Sequence, residues 1–298
     1  MSSRRSISYL LAVVLLGLTS VLTAGAQEGP APATPVPGTA PLGVLATFSL
    51  PELPTPHAEV WFLRMGLEPG GSLPADMQIG PTVVYVESGE LTLGTDRPIT
   101  MSGGVPDATP GAAIASPAAA QFETIVHAGE SVLIDDGTAL SGSNATNEPV
   151  TFLVVFMFSG TREGEGEESG LEPVGLSQQG ISVSAAELPA LPGTVTLERV
   201  QVAPGEAMES DSGHGQGIDG LELGAIEQGT AETTFQTGSS WLWPQILTEF
   251  QRQQPIDPGA TINLATGDGY SIFDGSAAWT VTSADPLIVL RVVIMPQG

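Results

Sequence analysis

The chain repeats itself, and that repeat constrains its fold more than any other feature. Ser49, Glu52-Leu53-Pro54, Arg64 and Pro69-Gly70 recur as Ser184, Glu187-Leu188-Pro189, Arg199 and Pro204-Gly205, each displaced by 135 positions. Gly89 then pairs with Gly229, Gly129 with Gly267, and Glu148-Pro149 with Asp285-Pro286, at displacements of 140, 138 and 137. A series that keeps its order while drifting by a few residues is what loop insertions and deletions leave between two copies of one unit. The chain therefore reads as two homologous domains of roughly 115 residues each, a usual size for an independent core.

Within each copy the texture is that of strands. Short apolar runs are broken by Gly, Pro, Asp and Ser: Thr82-Val83-Val84-Tyr85-Val86, Ser131-Val132-Leu133-Ile134, Thr151 to Phe156, and Leu287 to Ile294. Runs of four to eight residues, rich in β-branched side chains and bounded by turn formers, predict β-strands. Helical periodicity is nearly absent, with one short helix expected over Trp243 to Gln253. The fold class is all-β.

The ends and the middle read differently. Ser3-Arg4-Arg5, an apolar run from Ile7 to about Val21, and Ala24-Gly25-Ala26 predict a secretory signal over residues 1–26, cut before Gln27. The alternative is a retained membrane anchor, for which the apolar run is somewhat short. The paired arginines also admit twin-arginine export beside the general route. Residues 27–41, rich in Pro, Ala, Gly and Thr, are expected as a flexible spacer. The first β-domain is expected over 42–159, an acidic Gly-rich linker over 160–176, and the second β-domain over 177–298.

Composition removes whole classes of function. All eight basic residues are Arg, against 33 acidic ones, for a formal net charge of −25. Losing residues 1–26 removes two Arg and no acid, which deepens this to −27. So acidic a chain repels phosphate backbones, and no nucleic-acid partner is expected. Without Lys there is no Schiff-base chemistry and no phosphate-loop lysine. Without Cys there is no disulfide, thiolate zinc site or iron–sulfur cluster. Asp211-Ser212-Gly213 imitates an aspartic-protease triplet, but that chemistry needs a second such carboxylate in apolar strands. The acidic clusters lack calcium-loop spacing and read as solvated turns. Asn144-Ala145-Thr146 matches the glycosylation pattern.

Pro69-Gly70-Gly71-Ser72 followed by Val84-Tyr85-Val86-Glu87-Ser88-Gly89-Glu90-Leu91 resembles the first motif of the cupin superfamily. Gly129, Gly137 and Asn144 stand at spacings of the second motif. Gly205, Glu222, Gly229, Gly267 and Gly275 echo both motifs in the second half. The resemblance covers nearly all of residues 42–298. It implies a bicupin, two small jelly-roll barrels in tandem, with the glycines expected in tight turns that need positive φ. It also implies a metal held by two His, a Glu and a third His. The first barrel puts Asp76, Gln78, Thr82 and Leu140 at those places. The second offers Asp211, then a Gly-rich loop with His214 and Gln216, then Glu222, with Ala278 in place of the last His.

Such a donor set is poor for a late first-row metal, which wants imidazole. No cofactor is expected, with a divalent metal on His214, Gln216 and Glu222 kept as the alternative. His57 and His127 read as ordinary surface or turn residues. A metal-free barrel can still bind a small ligand, because alternate residues of a strand face inward. Asp76, Gln78 and Thr82 would line the first lumen, and Asp211, Gln216 and Glu222 the second. Trp241 and Trp243 would cover the second mouth or cap its core. Arg64 and Arg199 would form matched ion pairs or meet a ligand carboxylate.

The favoured reading is a secreted, extracytoplasmic, non-catalytic bicupin that binds a small polar molecule or acts as an interaction module on an unknown protein. No membrane contact is expected after signal cleavage, and an oligomer is possible through an exposed sheet face. The alternative is an enzyme. It would be either a residual metal-dependent oxidase or dioxygenase in barrel 2, or a metal-free isomerase with Glu222 and His214 as acid and base.

Overall fold

The computed structural model describes residues 41–51, 59–73, 77–78, 80–102, 122–158, 174–184, 192–211, 220–244 and 253–297. Among them the regular structure is entirely β. The first half carries β1 (Gly43–Leu50), β2 (Glu59–Ser72), β3 (Met77–Gln78), β4 (Thr82–Ser88), β5 (Glu90–Thr95), β6 (Thr100–Ser102), β7 (Phe122–His127), β8 (Ser131–Ile134), β9 (Ala139–Ser143) and β10 (Val150–Phe158). The second carries β11 (Val174–Ser184), β12 (Gly193–Val202), β13 (Ala207–Asp211), β14 (Leu221–Gln228), β15 (Thr230–Phe235), β16 (Ser239–Trp243), β17 (Gln254–Ile256), β18 (Thr261–Ala265), β19 (Gly269–Phe273), β20 (Ser276–Val281) and β21 (Leu287–Pro296). The expected helix is replaced at its start by β16, and residues 245–252 lie outside the described residues. Residues 1–40, with the expected signal and most of the spacer, and 159–173, with most of the expected linker, also lie outside them.

Three antiparallel sheets hold these strands. One has the order β1-β12-β21-β14-β19-β16-β17 and a second β13-β20-β15-β18. The third runs β6-β8-β4-β10-β2-β9-β5-β7, with β11 joined to β2 and β3 to β9. The hydrogen-bonded sheets thus cut across the expected units of 42–159 and 177–298. β1 pairs with β12 of the second half, and β11 pairs with β2 of the first. Each half lends its leading strand to the other.

Alternation along the strands sorts the apolar side chains into three cores. Leu63, Met65, Val84, Val86, Val132 and Val154 fill the first barrel. Ile226, Phe235, Tyr270, Ile272, Trp279 and Val289 fill the second. The opposite faces of the same strands, with Phe62, Tyr85, Val155, Leu197, Leu223 and Val292, form a third core shared between the halves. Trp243 belongs to this shared core and Trp241 packs against it, so neither indole covers the second barrel's mouth. The leading strand β1 contributes Phe48 and Leu50 there as well.

The duplication survives in the hydrogen bonds. The amide of Val86 bonds Glu130 O at 3.0 Å and its carbonyl accepts from Gly129; Ile226 does the same with Asp268 O at 2.9 Å and Gly267. Because these turns capture Val86 and Ile226, the next residue on each strand is left as a β-bulge, and a bulge re-aims its side chain. Those residues are Glu87 and Glu227. Both turn toward Arg64 and Arg199 to close a ring of alternating charge across the shared core. Arg64 Nε donates to Glu87 at 2.7 Å and Arg199 Nε to Glu227 at 2.6 Å. Arg199 Nη2 reaches across to Glu87 at 2.5 Å, and Arg64 reaches across to Glu227. Burial opposes the charged form of Glu227, but the bonds and charges of Arg199 and Arg64 hold its carboxyl below the usual range. The two arginines are thus matched with the chain's own carboxylates.

Seven of the glycines that carry the family resemblance (Gly70, Gly89, Gly129, Gly137, Gly205, Gly229 and Gly267) have positive φ, as turns of this kind require. Gly275 does not. There Asp274 takes the positive φ, at 45°, and Gly275 is required by space, because a Cβ would overlap the backbone of Thr237.

Candidate functional site

In an antiparallel ladder, directly opposed residues project to the same face, so the register shows which side chains share a lumen. One row in the first barrel crosses β2, β10, β4 and β8 as Leu63, Val154, Val84 and Val132. The equivalent row in the second crosses β12, β21, β14 and β19 as Glu198, Arg291, Gly224 and Tyr270. The neighbouring row reads Trp61, Phe156, Thr82 and Ile134 in the first barrel, against Thr196, Val293, Glu222 and Ile272 in the second. Ser240 of β16 continues the latter. The backbone plan is the same in both halves. Among the described residues of these rows, only those of the second barrel are charged.

Those charges are organised. Tyr270 Oη donates to Glu222 Oε1 at 2.6 Å, and Arg291 Nε donates to Glu198 Oε1 at 2.6 Å. Arg291 Nη1 lies 3.5 Å from Glu222 Oε2 and 3.5 Å from Ser210 Oγ, which also bonds Glu222. Glu222 is only 1 % exposed. Gly224 makes room for the arrangement, because a Cβ there would overlap the Tyr270 ring. The ring in turn meets Trp279 edge-on, with centroids 4.9 Å apart. Burial pushes the Glu222 carboxyl up, against the opposing pull of Arg291, Tyr270 and Ser210. Burial and the adjacent carboxylate push the Tyr270 phenol well up, so it stays a donor.

Of the residues singled out from sequence, Glu222 lies at the centre of this cluster. Thr82 is fully buried in the first barrel, and its hydroxyl donates to Gly80 O at 2.9 Å. Leu140 is packed in the first core. Gln78 is in β3 and Asp211 in β13, with their side chains outside the described residues; Asp76, His214, Gln216 and His57 lie outside them altogether. His127 ends β7 on the surface, 3.1 Å from Glu90. Ala278 needs correction as the counterpart of Leu140. The ladder between β15 and β20 puts Ala277 and Trp279 in the core, leaving Ala278 on the outer face, one residue from where loop counting placed it. Asn144 is also buried, and its amide nitrogen donates to Leu67 O and Glu148 O, so in the folded chain it is a turn anchor and not a glycan acceptor.

A divalent metal does not fit the described donors. The oxygens of Glu222 face a phenol and a guanidinium, and a cation beside Arg291 would be repelled. Among the described residues there is no group of three His, Cys, Asp or Glu able to hold one.

Sequence counting missed Tyr270, Arg291, Glu198 and Ser210. Arg291 left a signal, as the lone charge in the apolar run Leu287 to Ile294. No protein-family model and no curated protein matches the sequence. Solved structures do match. Procruciferin, an 11S globulin from Brassica napus, is 11% identical over 84% of this chain and 85% of its own, with a TM-score of 0.40. The oxalate decarboxylase of Lactobacillus farciminis, in a formate complex, is 12% identical over 84% and 86%, at 0.42. An 11S allergen from Cocos nucifera is 13% identical over 86% and 90%, at 0.44. The chain itself shows an all-β fold in two halves, with a duplicated register, exchanged leading strands and matching glycine turns.

Proposed function

We propose that this is a non-catalytic binding protein in which barrel 2 holds a small polar molecule and barrel 1 serves as its structural partner. One observation carries the reading: two barrels with the same ladder differ at four facing positions, apolar in one and Glu198, Arg291, Gly224 and Tyr270 in the other. Buried ion pairs generally contribute less stability than apolar residues of similar volume. A cluster kept inside one of two duplicated barrels is therefore better explained by a ligand than by folding. A few convergent polar groups on an apolar wall are the usual form of a small-molecule site. The proposal includes an extracytoplasmic setting, which rests on the signal-like residues 1–26 and the acidic composition.

An acid–base enzyme is the second reading, and the raised Glu222 carboxyl beside the Tyr270 hydroxyl is what favours it. A thermal-shift screen of small polar molecules tests the first. Hits are expected for the native chain and lost in Tyr270→Phe and Glu222→Gln. Hits that persist unchanged in both variants would remove barrel 2 as the site. Chemical turnover of a hit, abolished by Glu222→Gln, would favour the second reading instead.

A further inference from the structure

The charged cluster of barrel 2 is largely satisfied from within, but another set of polar atoms in the same lumen is not. Among the described residues, four buried side-chain polar atoms have no hydrogen-bond partner: Thr138 Oγ1, Thr233 Oγ1, Ser240 Oγ and Trp279 Nε1. Three of the four belong to barrel 2. Thr233 lies between Ala231 and Phe235 of the second core and directly opposite Trp279 across the ladder. Ser240 shares its face with Leu242, which packs on that core, and shares its row with Glu222 through Ile272. Trp279 touches Tyr270. The unpaired atoms therefore come from both walls of one barrel, next to the Glu222–Tyr270 pair.

Leaving a buried polar group unpaired costs about 1–3 kcal/mol, and native chains keep few such groups without a reason. Resting on the reading of barrel 2 as the binding site, we infer that these three groups receive the ligand, and that the ligand is an uncharged, oxygen-rich molecule such as a polyol. The chemistry of the three sets its class. Trp279 Nε1–H can only donate, so it asks for an oxygen acceptor and turns away an ammonium. The two hydroxyls donate or accept, and so match hydroxyl groups. An anion would want a free positive charge, but Arg291 is already engaged by Glu198 and faces Glu222. The remaining wall (Phe235, Ile272, Leu264, Val281) suits the carbon face of such a molecule.

The test is nitrogen-15 NMR of the indole N–H signals of the full chain, with the Trp279 signal assigned by its loss in Trp279→Phe. Glycerol, erythritol and glucose serve as neutral probes, with acetate, phosphate and trimethylammonium as charged ones. The neutral probes are expected to move the Trp279 signal and to bind about twofold to tenfold more weakly in Thr233→Val and Ser240→Ala. Those two variants should unfold at the same temperature as the native chain or higher, because each removes an unpaired hydroxyl. A Trp279 signal moved by a charged probe and not by the neutral ones would overturn the ligand class while leaving barrel 2 as the site. A Trp279 signal unmoved by all six would overturn the inference. Failure of the barrel 2 reading itself shows separately, as screening hits that survive Tyr270→Phe and Glu222→Gln.

Discussion

Burial shifts the Glu222 carboxyl upward against the pull of Arg291, Tyr270 and Ser210, and this gives the residue a pH signature of known sign. Its folded pKa is raised, so the native state binds more protons than the unfolded state between the ordinary carboxylate pKa and the raised one. Stability attributable to Glu222 is therefore lost as pH rises through that window. Glu222→Gln, which keeps the Tyr270 hydroxyl bond without an ionisable group, is expected to melt higher than the native chain above the window. The difference should shrink as pH falls toward the ordinary carboxylate range. A difference that grows toward acid would contradict the assignment. Gly224→Ala tests the space beneath Tyr270. The added methyl overlaps the ring, and is expected to cost about 1–3 kcal/mol in denaturant unfolding. Glu222 was legible in the sequence because its spacing from Gly205 and Gly229 follows a motif. Tyr270, Arg291 and Glu198 were not, because they meet it across strands whose register no local spacing encodes.

At the scale of strands, the device that recurs in both halves is a bulge that delivers a carboxylate. Glu87 and Glu227 are each the extra residue on their strand, and each bridges both arginines. Breaking such a ring at one member leaves its partners buried and uncompensated. Arg199, with a side chain only 2 % exposed, is the member to remove: Arg199→Met is expected to cost about 3–5 kcal/mol. The double variant Arg199→Met with Glu227→Gln should recover part of the loss. Glu227 also carries a pH signature opposite to that of Glu222. Its folded pKa is depressed, so its stabilisation is present above the ordinary carboxylate range and disappears as pH falls through the folded value. Glu227→Gln should thus be destabilising at neutral pH and progressively less so in acid, as read by thermal melting across pH. The repeated Arg was legible as a matched pair, since 64 and 199 stand at the displacement of their neighbours. That it closes a single ring with both bulged carboxylates was not, because the ring depends on how the halves meet.

For the whole molecule the exchanged strands matter most. Strand runs and the repeat made the two-unit β plan readable from composition and spacing alone. The exchange was not readable, because β1 and β11 carry alternation that would suit either sheet. With β1 in the second half's sheet and β11 in the first's, and a core shared between them, unfolding is expected as one cooperative transition. Far-ultraviolet circular dichroism and tryptophan fluorescence should give coincident denaturation curves, whereas two separated transitions would contradict the shared core. The central claim, that one barrel binds while its twin supports it, is tested most directly by rewriting barrel 2 in the residues of barrel 1. The chain carrying Glu198→Leu, Glu222→Thr, Gly224→Val, Tyr270→Val and Arg291→Val has the apolar row Leu63, Val154, Val84 and Val132 of the first lumen, and its Thr82, on the ladder of the second. Titrated calorimetrically beside the native chain with a ligand from the thermal-shift screen, it is expected to remain folded, to be at least as stable, and to bind far more weakly, through Thr233, Ser240 and Trp279 alone. Undiminished binding by this folded variant would contradict the account.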